Sequence, residues 1–174
     1  SKDSWHRYGE KGKWSYSIEE LGYKYNLTDI AAVIGLNQLS FVDNWHLRRI
    51  DIVEKYNAGF QGIDGIKFFS QPTKGTKHAW HLYIIQIDYK KWHISRDEII
   101  LKLNKRGIGT SVHYIPIHMH SYYKNKYGFE PTEFPQADSI FKSVITLPLY
   151  PDLKDEEVLY IIKTIKDVWE QFSK

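Results

Sequence analysis

Trp80-His81-Leu82-Tyr83-Ile84-Ile85-Gln86-Ile87-Asp88, followed by Ser95-Arg96-Asp97-Glu98, decides what kind of fold this chain adopts. The first run alternates yet keeps Leu82, Ile84, Ile85 and Ile87 apolar on both faces, the pattern of a central strand covered on each side. Trp80 and His81 fall in the same run, which predicts core packing for both. The second run has the form of a capping box: the Ser95 oxygen can accept from the third helical amide while Glu98 reaches back. Ile99, Ile100 and Leu103 continue that helix, and Gly107 suits a left-handed stop. A strand and a helix with clear ends are therefore legible side by side.

Outward from this pair the same rules apply. Upstream, Gly62-Ile63-Asp64-Gly65 is a turn, Ile66 to Phe69 a short strand, and Gln71 to Gly75 a loop. Downstream, Ile108 to Ile115 reads as a strand closed by Pro116, then comes a looser aromatic region from Tyr122 to Phe134. A short helix near Gln136–Phe141 and a strand at Val144–Leu147 follow. The last helix starts near Asp152 or Asp155 and repeats Val158, Ile161, Ile162, Ile165, Val168, Trp169 and Phe172 on one face. Residues 61–174 thus read as a small α+β domain with its helices packed on one side of a sheet. Residues 1–60 read as loop and helices leading into it. Within them, residues 1–20 hold Trp5, Tyr8, Trp14 and Tyr16 and suggest an aromatic-anchored loop or short helix. From Thr28 and Asp29, Ile30 to Leu36 are apolar on every side, as in a helix enclosed by protein, and Gly35 would let another backbone come close. After Ser40 a second helical pattern sets Val42, Trp45, Arg49, Val53, Tyr56 and Phe60 at spacings of three and four.

Composition narrows the function classes. The chain has 174 residues, 42% hydrophobic and 16% aromatic, enough to build a core. It contains no cysteine, which excludes disulfides, thiolate catalysis and zinc-ribbon chemistry. A net charge of +3 from 24 basic and 21 acidic residues is too mild to demand nucleic acid, though it suits an anionic small molecule. The aromatic-basic surface motif of an RNA-recognition sheet is missing as well, so no nucleic-acid partner is expected. No run of 18 apolar residues exists and Ser1-Lys2-Asp3-Ser4-Trp5 has no signal-peptide core, so a soluble cytoplasmic protein without a membrane partner is the default. Met119 is the sole methionine, from which the chain is expected to be a C-terminal portion of a longer polypeptide.

Several short segments carry more specific information. Gly22-Tyr23-Lys24-Tyr25-Asn26-Leu27-Thr28 is a polar, aromatic loop able to reach an anionic ligand, and it runs straight into the apolar helix. Further on stand Arg48-Arg49-Ile50 with Tyr56-Asn57, and His78-Ala79-Trp80-His81-Leu82-Tyr83. Gly107-Ile108-Gly109-Thr110 follows with His113-Tyr114-Ile115-Pro116-Ile117-His118, then Tyr122-Tyr123, then Leu147-Pro148-Leu149-Tyr150-Pro151. In order and spacing this set resembles the DegT/DnrJ/EryC1/StrS family of pyridoxal-phosphate-dependent sugar aminotransferases over nearly the whole chain.

The resemblance implies a fold-type I, aspartate-aminotransferase-like enzyme, of which this chain is the C-terminal part: a small α/β sandwich domain preceded by interface helices. It implies a homodimer formed through residues near 22–60, with active sites at the interface. The cofactor would be pyridoxal 5'-phosphate. The substrates would be a nucleotide-linked keto-sugar and an amino donor, glutamate, in cell-surface polysaccharide or amino-sugar biosynthesis. The Schiff-base lysine, the carboxylate paired with the pyridine nitrogen and most phosphate donors would lie upstream, so no catalytic residue is expected within this segment, which alone would be inactive. Lys24 occupies the place where many members have an asparagine that reaches the cofactor phosphate of the opposite subunit, and an ammonium can make a charge-assisted contact there. Asn26 stands where an arginine is frequent. His113, Tyr114 and His118 fall in the segment placed near the nucleotide sugar.

Plainer readings stand beside these. Lys24 is also compatible with an ordinary surface lysine, and either histidine with a structural one. His113, His118 and His120 cluster as metal ligands might, but Pro116 interrupts them and no helical pair is joined by a carboxylate, so no metal site is expected. A non-catalytic member, a dehydratase-type member with histidine in place of the lysine, and a stand-alone α+β interaction domain are the alternatives.

Overall fold

The structure is a computed structural model that describes residues 20–68 and 73–173. It divides into two compact units, one ending at Ser40 and the other beginning at Phe41. The aromatic-anchored element expected over residues 1–20 falls almost wholly outside the described residues, as does Phe69 at the end of the first strand.

In the first unit, residues 20–28 are irregular and helix α1 (Asp29–Phe60) begins. The Thr28 hydroxyl accepts from the Ala31 amide at 3.3 Å and Asp29 lies in the first turn, so the start is capped and charged as helix ends require. No break follows Ser40, contrary to the expected two helices. The Ser40 hydroxyl donates to the Asn37 carbonyl at 2.6 Å, so its side chain is satisfied inside the helix and ends nothing. The enclosure expected for Ile30 to Leu36 is not supplied by the described residues: Ile30 is 77% and Leu36 69% exposed. A methyl group placed at Gly35 would meet no atom within 4 Å.

The second unit is built on a three-stranded antiparallel sheet in the order β1 (Ile66–Phe68), β2 (Tyr83–Ile87), β3 (Val144–Leu147). Its register pairs Ile66 with Ile87, Phe68 with Ile85, Tyr83 with Leu147 and Ile85 with Ile145. Because paired residues share a face, these side chains form one apolar surface. Ile52, Val53, Tyr56 and Phe60 of α1 join the same core. So do Ile99 and Leu103 of α3 (Arg96–Lys105), and Val158, Ile161, Ile162, Ile165 and Val168 of α6 (Asp155–Phe172). Gly59 permits the closest approach: a methyl group there would stand 2.7 Å from Ile162. Polar ties hold the same junction. Lys55 and Arg48 reach Asp155 at 2.7 and 2.8 Å, and Arg48 also bonds Asp51 and the Leu153 carbonyl.

Both ends of α3 are as the sequence predicts. Ser95 and Glu98 form the capping box. At the other end Gly107 has φ 75°, its amide bonds the Asn104 carbonyl, and the Ile108 amide bonds the Leu103 carbonyl, each at 3.0 Å. That is a Schellman stop, closed by buried Leu103 and Ile108.

Three further expectations are corrected. The central strand starts at Tyr83 rather than Trp80, because Trp80 adopts a left-handed φ of 46° and its amide bonds the nearby His78 Nδ1 at 3.0 Å. Trp80 still packs against the core, but His81 is exposed. Residues 108–115 form no strand: Ser111 alone bridges to Thr146. Two residues back the ladder would set Gly109 opposite Pro148, which has no N–H to donate, and on the other side Val144, opposite His113, gives its amide to the Ile140 carbonyl. Finally, helices do not keep to one side of the sheet. On the face opposite the core, Gln86 donates to Ser143 of α5 (Pro135–Ser143) at 2.9 Å. Two short helices fill connections the sequence left open: α2 (Tyr89–Trp92), whose Trp92 is fully buried, and α4 (Ser121–Tyr127). No helix among the described residues is long and apolar enough to cross a membrane.

Candidate functional site

The Schellman stop sends the chain from α3 back across the edge of β3, and Ser111 fastens it there with two backbone bonds to Thr146, at 3.2 and 2.8 Å. His113 follows two residues later. Its Nδ1 lies 2.8 Å from the Thr146 hydroxyl, and the Thr146 side chain is 5% exposed in a strand buried at every position. The Tyr114 ring stands edge-on to the His113 ring, centroids 4.6 Å apart, and is 72% exposed. Thr146 is registered opposite Ile84 of β2, and Ile84 lines a cavity of about 460 Å³ formed by residues 78–84. A half-buried imidazole and an open phenol thus stand beside β3, the strand whose Thr146 pairs with a residue that lines the cavity.

Pro116 turns the chain into a short 3-10 segment, Ile117–Met119, in which His118 is 7% exposed. Its ring stacks on Phe134 at 4.5 Å, and its Nε2 is buried without a hydrogen-bond partner. The Thr110 hydroxyl is in the same condition. Beyond Phe134 the rings of Phe129, Tyr127 and Tyr123 continue at 5.3, 5.5 and 6.3 Å toward the surface. No hydrogen bond or ring contact among the described residues joins His113 to His118. His120 is exposed, and no group of three or more His, Cys, Asp or Glu among the described residues could hold a metal ion.

Other motif residues build the frame. The Tyr83 hydroxyl donates to Asn57 Oδ1 at 2.7 Å and the Tyr56 hydroxyl to the Pro148 carbonyl at 2.9 Å, so three of the sequence segments singled out above meet. Burial pushes both phenols far above their ordinary range, which keeps them neutral donors.

Lys24 belongs to the other unit. It is exposed between Tyr23 and Tyr25, whose rings lie 5.6 Å apart, and it makes no ion pair or hydrogen bond among the described residues. Sequence reasoning missed Thr146 and Phe134. A single polar residue inside Val144-Ile145-Thr146-Leu147 was a signal available for the first; nothing local marked the second.

The profile of the DegT/DnrJ/EryC1/StrS aminotransferase family matches residues 2–166. The spore coat polysaccharide biosynthesis protein SpsC of Bacillus subtilis (strain 168) is 41% identical over 169 residues, which cover 97% of this chain and 43% of that protein. Among solved structures, the putative sugar aminotransferase Spr1654 from Streptococcus pneumoniae in its PLP-form superposes with a TM-score of 0.79 at 41% identity, covering 96% of this chain and 42% of that one. DesV of S. venezuelae superposes at 0.77 with 28% identity over 95% of this chain and 42% of its own. The chain therefore spans less than half the length of the relatives it matches.

Proposed function

Because this chain belongs to the DegT/DnrJ/EryC1/StrS aminotransferase family, we propose that the complete protein moves an amino group from glutamate to a keto-sugar carried on a nucleotide, for polysaccharide or amino-sugar synthesis in the cytoplasm. The observation that carries this reading is the 41% identity, over 96% of the chain, to the PLP-form of the putative sugar aminotransferase Spr1654. When bound, pyridoxal phosphate draws electron density from the carbon that loses a proton and carries the amino group between the two substrates.

The residues present fit that cofactor in one respect. Lys24 offers an exposed ammonium with no partner among the described residues, so its charge is free for a phosphate oxygen. In this reading the upstream half supplies the remaining contacts and the covalent anchor, and Lys24 reaches the site of the opposite subunit. Ile30, Val33, Ile34, Leu36 and Leu39 support a homodimer through residues near 22–60, because their exposed apolar surface would be removed from water by a second copy. In the same reading His113 and Tyr114 present polar groups to the sugar nucleotide. The buried Nε2 of His118 awaits an acceptor or donor that the substrate or a bound water supplies.

The test is an assay of the complete protein with pyridoxal phosphate, glutamate and a panel of nucleotide-linked keto-hexoses, reading 2-oxoglutarate release. Turnover that requires both the keto group and the nucleotide supports the reading. Equal turnover with the free sugars, or none with any member, refutes it.

A further inference from the structure

We infer that Thr146 is a positioning residue: its buried hydroxyl holds the His113 ring and keeps the imidazole proton on Nε2, turned toward the substrate. The argument begins with the strand. Thr146 is locked on both sides, by Ile84 across the β2 ladder and by the two backbone bonds to Ser111. A β-branched side chain on a fixed backbone has little freedom at χ1, so the direction of its hydroxyl is set before His113 arrives.

Thr146 is 5% exposed, and His113 Nδ1 at 2.8 Å is the only partner of its hydroxyl among the described residues. Two arrangements of the protons are possible. If Nδ1–H donated to the threonine oxygen, the hydroxyl hydrogen would be buried with nothing to receive it. If the hydroxyl donates to Nδ1, every polar group is satisfied and the ring proton resides on Nε2. The second arrangement follows. His113 is half-buried, and its Nε2 makes no hydrogen bond among the described residues, so its N–H is left for an outside acceptor. Its natural complement is an acceptor oxygen, such as a phosphate or sugar oxygen of the nucleotide substrate. The part of this inference concerning substrate rests on the function proposed above, whereas the tautomer does not.

The experiment uses the complete enzyme with Thr146→Val, which removes the hydroxyl at nearly constant shape, and Thr146→Ser, which keeps it. Histidine-selective ¹⁵N NMR reports the tautomer, with the His113 signals identified by their loss in His113→Gln. Binding of uridine diphosphate and thymidine diphosphate serves as the probe of the site. Expected are a pure Nε2–H pattern in the parent and the serine variant, a tautomer mixture in the valine variant, and about tenfold weaker diphosphate binding in the valine variant alone. A proton on Nδ1 in the parent, an unaltered pattern in Thr146→Val, or a lost pattern with unchanged affinity would each overturn the proposal. A Thr146-dependent tautomer in an enzyme that binds neither diphosphate would uphold the positioning and sink the nucleotide reading instead.

Discussion

Lys24 and His118 are opposite kinds of binding candidate, and their chemistry predicts opposite consequences of losing them. Lys24 is exposed and free of partners among the described residues, so truncating it removes charge without disturbing packing. We expect Lys24→Ala to leave the melting temperature of the apoenzyme unchanged while weakening pyridoxal phosphate retention about tenfold in the dimer, the scale of one charge-assisted hydrogen bond. Dialysis followed by cofactor absorbance measures it, and equal retention would remove Lys24 from the site. His118 is buried with an unpartnered nitrogen, a group that costs about 1–3 kcal/mol where nothing meets it. His118→Phe keeps the stack on Phe134 and deletes the orphan. The expected result is a variant more stable by about 1 kcal/mol in the absence of substrate, with a raised KM for the sugar nucleotide. A loss of stability would mean that the imidazole is already satisfied and is purely structural.

Helix α3 shows how a segment specifies its own limits, and its caps should respond locally. Glu98 receives the Ser95 hydroxyl at 2.6 Å and the Ser95 amide at 3.1 Å, which holds its carboxyl below the ordinary glutamate range, the hydroxyl contact foremost. Removing the serine oxygen strips the Glu98 amide of its acceptor as well. Ser95→Ala should therefore cost about 1 kcal/mol of stability, read from a urea midpoint, with no change in KM. Other elements were less legible. Trp80 to Asp88 has the apolar content of a long strand, yet Trp80 turns left-handed and the strand is shorter by its first three residues. Ile108 to Ile115 has strand composition too, but beside β3 its ladder is stopped by Pro148 on one side and by a Val144 amide already committed to Ile140 on the other, both far away in sequence. Ser40 looks like a boundary and is instead an internal residue of α1 because its hydroxyl finds a carbonyl one turn back.

The junction of α1 with the start of α6 gives the second unit a definite response to acid. Asp155 is held below the ordinary aspartate range first by its hydrogen bond from Lys55 and then by that from Arg48. A carboxyl whose pKa is lower when folded takes up its proton more readily in the unfolded chain, so the stabilisation is complete above the unfolded value of about 4. It fades as pH falls through the lower folded value. Asp155→Asn should accordingly lower the denaturation midpoint at neutral pH and converge on the parent once the pH has fallen below the lowered folded value. Equal midpoints at neutral pH would mean that the pair, being partly exposed, is screened to nothing.

What the amino-acid order by itself determined was local or cumulative. Caps and turns depend on neighbours within four residues, which is why Ser95, Glu98 and Gly107 could be read directly. The family is written in many short segments whose order needs no coordinates, and Lys24, His113, Tyr114 and His118 were singled out through it. What only the tertiary structure decided were the pairings across the chain: Thr146 on His113, Phe134 on His118, Tyr56 on Pro148, and Pro148 against a would-be strand. Each joins residues whose separation in sequence carries no signal of their distance in space. An apolar helix is likewise visible in a sequence, but whether its own chain covers it depends on where every other element packs, and among the described residues nothing covers Ile30, Val33, Ile34, Leu36 or Leu39.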